Sequence, residues 1–109
     1  MFKIPNKSFK ALHEFLTTNQ HIVFRYIIKK VKFGIVNNLD SVELFEFSSD
    51  THRHIATVKE KDYEQILENA IKVFSKVEDY ETADKAQQII TLYRNKYINK
   101  LLNDINNEG

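Results

Sequence analysis

At 109 residues, with 42% hydrophobic and 28% charged side chains, the chain can build one modest core and not two. It holds no cysteine, which excludes disulfides and thiolate metal sites, and its only glycines, Gly34 and Gly109, exclude a glycine-built phosphate loop. The formal net charge of +1 hides a split: residues 1–36 carry seven bases against Glu14, net +6, while residues 37–109 carry nine bases against fourteen acids, net −5. Such a split can be satisfied internally, by head-to-tail association, or by an anionic partner for the first third.

The first seven residues lack the long apolar run of a signal peptide, and no stretch approaches the ~18 apolar residues of a membrane span. With cysteine absent, a reducing compartment is the simpler assumption, so the expectation is a cytoplasmic protein with no membrane contact. Residues 7–16 read as a short amphipathic helix with Phe9, Leu12, Phe15 and Leu16 on one side and Asn6 or Ser8 as cap. Thr17, Thr18 and Asn19 end it.

Residues 22–36 are rich in β-branched and aromatic types and are read as a strand. One face would show Val23, Ile27, Val31, Phe33 and Ile35, the other Phe24, Tyr26 and Ile28. Short apolar runs do not settle the period, so a helix over residues 22–30 stands as the alternative. Asn37, Asn38, Leu39 and Asp40 suit a turn into a second strand at 42–47. A further turn at 48–51 leads to a third strand at 53–58, and Thr57 with Glu60 has capping-box spacing for the helix that follows.

The last part of the chain carries the clearest pattern. Tyr63, Ile66, Leu67, Ala70, Ile71, Phe74 and Val77 recur at three and four, the spacing of one helix face. After an acidic joint at Glu78 and Asp79 the same spacing returns in Ala83, Ala86, Ile90, Tyr93, Tyr97, Leu101 and Ile105, widened by Ile89, Ile98 and Leu102. Asp79 suits the cap of this second helix, and a connection so short makes the two helices antiparallel. Ala70, Ala83 and Ala86 let the backbones approach near the turn. The expected fold is therefore α+β in a single domain: an N-terminal helix (1–20), a three-stranded antiparallel meander (21–59) and a C-terminal antiparallel helical hairpin (60–105). The hairpin is expected to cover the sheet's apolar face.

At the joint, residues 77–90 resemble the UVR domain, the small helical hairpin of bacterial nucleotide-excision-repair proteins and certain protease adaptors. Tyr80 and Glu81 stand where that family opens its second helix with an aromatic-Glu pair, and Ala83 and Ile90 match further on. Asp84 replaces a usual second alanine, and Gln87 with Gln88 replaces an Arg-Asp pair. The resemblance implies a protein-binding module, because UVR hairpins dock onto other hairpins. The departures at Gln87 and Gln88 mean that the resemblance implies no specific repair partner.

Candidate chemistry is sparse. His52 and His54, two apart in a strand with Asp50 nearby, have the spacing of two metal ligands but lack a complete set. Ser48, Ser49, Asp50, Thr51 and His52 cluster as turn residues do. The carboxylate pairs Asp62 with Glu64 and Glu78 with Asp79 sit at helix starts, where the macrodipole accounts for them. His13 and His21 read as helix-surface and loop residues. No catalytic residue, metal or cofactor is assigned, and no enzyme is expected.

Two binding readings remain. The first is a protein-protein interaction module, an adaptor or regulator of a larger machine, self-associating as a homo-oligomer through the hairpin. Its contact residues would be Tyr93, Tyr97, Ile98, Leu101 and Leu102, which lie beyond the reach of the first hairpin helix. The alternative is RNA or DNA binding through Phe24, Arg25, Tyr26, Lys29, Lys30 and Lys32, which interleave rings for stacking with bases for phosphate. Ten asparagines and thirteen lysines fit an AT-rich genome, that of a low-GC bacterium or its phage.

Overall fold

The computed structural model describes residues 2–5, 14, 16–48 and 53–108. Strand β1 (Phe2–Pro5) is followed by helix α1 (Gln20–Val36), strands β2 (Ser41–Ser48) and β3 (Arg53–Lys59), a 3-10 turn (Glu60–Asp62), and helices α2 (Tyr63–Lys76) and α3 (Tyr80–Glu108). Most of the helix expected at 7–16, with its caps, lies outside the described residues. Glu14 and residues 16–18 are helical.

The largest correction concerns residues 22–36, which form a helix rather than a strand. Val23, Ile27, Ile28, Val31, Gly34 and Ile35 are its buried positions, and their spacing of three and four lets one helix face enter the core. Burial along that face outweighs the β preference of the individual side chains. The meander falls with it, since the antiparallel part of the sheet has two strands, not three. The remaining strand, β1, runs parallel to β2, pairing Phe2 with Phe45 and Pro5 with Ser48, in the order β1-β2-β3. Between Glu43 and Phe45 the register against β3 slips by one residue. This bulge lets both Leu44 and Phe45 be buried, where strict alternation would expose one of them.

Both turns around the helices close by backbone hydrogen bonds. Asn38 takes φ 55°, and the amides of Leu39 and Asn38 donate to Gly34 O (2.8 Å) and Ile35 O (3.2 Å). Glu78 takes φ 60°, and the amides of Asp79 and Glu78 donate to Phe74 O (2.9 Å) and Ser75 O (3.1 Å). Each is the Schellman ending, in which a left-handed residue folds the chain back over the last carbonyls. The asparagines expected to link two strands instead stop a helix.

The hairpin stands where the sequence placed it. Tyr63, Leu67, Ala70 and Phe74 of α2 pack with Ala83, Ala86, Ile89 and Ile90 of α3. The spacing at Thr57 and Glu60 caps nothing: Thr57 lies in β3, and α2 begins only after the 3-10 turn. Nor does the hairpin lie directly on the sheet as its main cover. Helix α1 takes that place, meeting β2 on one side and α2 on the other. Gly34 marks the tightest point, where an added Cβ would come within 2.6 Å of Val42 Cγ1 and 2.8 Å of the Tyr63 hydroxyl.

Candidate functional site

The two hairpin helices differ greatly in length. At 1.5 Å per residue, the 14 residues of α2 span about 21 Å and the 29 of α3 about 43 Å. The molecule is correspondingly long and flat, 56 × 37 × 16 Å. Asp79 starts α3 by accepting the Thr82 amide (3.2 Å) on Oδ1 and the Thr82 hydroxyl (2.8 Å) on Oδ2. Arg25 Nη2 donates to the same Oδ2 at 2.7 Å, and its guanidinium lies 5.3 Å from the centre of the Phe74 ring. The Thr82 hydroxyl and then its amide hold the Asp79 carboxyl below its usual pKa, against an opposing effect of burial that exceeds the separate contributions of Arg25 and Lys85.

Further along, α3 is tied down twice more. Arg94 Nε bonds Glu64 near the start of α2. Lys96 Nζ donates to Ile35 O (2.9 Å) and Val36 O (3.3 Å), the last carbonyls of α1. With Asn37, whose amide and side chain both donate to Phe33 O, this satisfies the final turn of α1 completely. Tyr63 donates to Leu39 O at 2.9 Å, and its ring meets Tyr93 edge-on at 6.3 Å. Burial, then Glu60, raises the pKa of both tyrosines and keeps their hydroxyls protonated.

Beyond Lys96, every described position of α3 from Tyr97 to Asn107 is exposed. Tyr97 is 53% exposed, Ile98 52%, Leu101 44%, Leu102 52% and Ile105 64%. Four of the expected contact residues thus share one bare apolar face. Tyr93 does not join them, because it is half-buried against the core. Ile105 belongs with the face and was legible as the next step of four after Leu101. Where α2 begins, Lys61, Glu64, Tyr93, Arg94, Tyr97 and Ile98 line a hollow of about 320 Å³. A second cleft of about 480 Å³ separates residues 38–40 from α3, with Tyr63, Tyr93, Lys96 and Lys100 among its walls.

The basic-aromatic segment does not form one surface. Phe24 and Tyr26 are half-buried, with the Tyr26 ring 5.7 Å from Phe45, and Arg25 is engaged with Asp79. Lys29 and Lys32 are exposed on the outer side of α1, while Lys30 lies over the Phe33 ring at 5.7 Å. Asp50 and His52 lie outside the described residues. Among the described ones, no group of three or more His, Cys, Asp or Glu comes together to hold a metal, and no helix is long and apolar enough to cross a membrane.

No protein-family model, no curated protein and no solved structure matches this chain.

Proposed function

We propose that the chain is a non-enzymatic protein-binding module, an adaptor or regulator that self-associates through its C-terminal hairpin. The observation that carries this reading is the bare face of Tyr97, Ile98, Leu101, Leu102 and Ile105 on a helix anchored firmly at Asp79, Arg94 and Lys96. Scattered exposed apolar residues are ordinary on a protein surface, whereas five on one helical face form a continuous patch. Placing them on a projecting helix gives a partner access from the side, as in recognition of helices by grooves or other helices. The likeness of the α2-α3 joint to UVR hairpins points the same way. The rings needed for base stacking are turned toward the core, so the segment at 24–32 ranks second.

The test replaces Tyr97→Glu and Leu101→Glu together and measures mass by light scattering. Wild-type protein is expected to exceed the monomer mass, and the double variant to return to it with an unchanged circular dichroism spectrum. Equal masses for the two proteins would contradict the reading.

A further inference from the structure

We infer that the bare half of α3 is covered by the same half of a second copy, laid antiparallel across a two-fold axis near Leu101 and Leu102. This rests on the self-association proposed above and adds its geometry.

The stripe that α2 covers does not stop where α2 stops. Ala83, Ala86 and Ile90 are buried against α2, and the same spacing of three and four continues through Tyr97, Leu101 and Ile105 with Ile98 and Leu102 alongside. Along the second half, α2 has ended and the apolar side chains from Tyr97 to Ile105 are exposed. A helix entering it antiparallel to α3 prolongs the line of α2. One entering parallel must splay away, because the seam before Tyr93 is already occupied by α2 in each copy.

The antiparallel arrangement also has a seat. If Leu101 of one copy faces Leu102 of the other, Ile105 faces Ile98 and comes down at the hollow of about 320 Å³ where α2 begins. Tyr97 and Ile98 form apolar walls of that hollow. Ile105, at 64% exposure the barest residue of the stripe, is the one delivered there.

Area favours the same conclusion. At these exposures the five residues present roughly 500 Å² per copy, in the range of the largest apolar patch of an ordinary monomer, which is often a functional one. Two such faces, buried in full, would remove about 1,000 Å² from water, the threshold for a specific interface, and Lys61 and Glu64 of the hollow add to it. One flank of the seam is formed by the uncharged Asn95, Asn99 and Asn106, and the other carries Lys100 and Asp104, one of each sign. A pair related by a two-fold axis uses each face once and closes at two copies.

The absence of native cysteine makes cross-linking a clean test on the full chain. Ile98→Cys and Ile105→Cys are prepared separately, and each alone and an equimolar mixture are oxidised and run on non-reducing gels. In the antiparallel pair, two copies of residue 105 are offset by about 10 Å along the helices, beyond the reach of a disulfide. Covalent dimer is therefore expected in the mixture and not in either variant alone. Ile105→Asp is expected to weaken association by about tenfold or more. A dimer that links through Ile105→Cys alone, or one seen by light scattering that links in no sample, would overturn the antiparallel arrangement and leave self-association standing. A monomer throughout would remove both.

Discussion

Residues 80–93 and 94–107 belong to one helix and share one spacing of apolar side chains, yet Ala83, Ala86, Ile89 and Ile90 are buried while Tyr97, Ile98, Leu101, Leu102 and Ile105 stand about half exposed. Amphipathic spacing states that a helix face needs cover, and the length of its neighbour decides whether the same chain supplies it. Here α2 covers about half of α3. In the first half, small residues draw the helices together. In the second, large ones reach outward, which suits contact with something not fixed to the same hairpin.

Truncation separates the halves most sharply. Phe74, fully buried between the helices and beneath Arg25, should lose about 3–5 kcal/mol on Phe74→Ala, a large share of a small domain's stability. Leu101→Ala should change the stability of dilute protein by no more than about 0.5 kcal/mol, as expected at an exposed site. Urea denaturation measures both. Comparable losses would mean that the second half of α3 is covered within its own chain.

Gly34 tests the anchoring of that contrast, since α1 joins the sheet to the hairpin. Helix propensity alone predicts that Gly34→Ala stabilises by about 1 kcal/mol. Contact with Val42 and Tyr63 predicts the opposite, a loss of about 1–3 kcal/mol from overpacking. A net loss is expected, and a gain would show that the junction is looser than described.

Asp79 offers a smaller effect with a definite pH dependence. Its pKa is lowered in the folded chain, so its charge adds stability above the unfolded value near 3.9, and that contribution is lost as pH falls through the lower folded value. Asp79→Asn keeps a side-chain acceptor for the helix start but carries no charge. Wild type should therefore melt higher than this variant at neutral pH, with the gap shrinking below about pH 4. A gap independent of pH would assign the role of Asp79 to shape alone.

The hairpin was legible in the sequence because its two stripes repeat over several turns and Asp79 has one natural use between them. Helix α1 was not, because Ile22, Val23, Phe24, Tyr26, Ile27 and Ile28 are strand-forming types crowded into a run that fits either period. Once α1 was read as a strand, the role of Lys96 was hidden, since a cation has no helix end to cap where no helix is expected. Strand β1 is short and pairs with residues some forty positions away, which no local pattern reports. Of the candidate site, Tyr97, Ile98, Leu101 and Leu102 followed from comparing helix lengths. Tyr93 shares their spacing, but α2 and its Tyr63 reach just far enough to cover it.

Amide hydrogen exchange at low and high protein concentration reads whether a second copy covers the end of α3, because an isolated helical stretch of about 12 residues is only marginally stable in water. Amides of residues 97–107 should exchange freely in dilute protein and become protected as concentration rises, while those of Ala83 to Ile90 stay equally protected throughout. Protection of 97–107 that is the same at every concentration would mean that no second copy covers this half of α3.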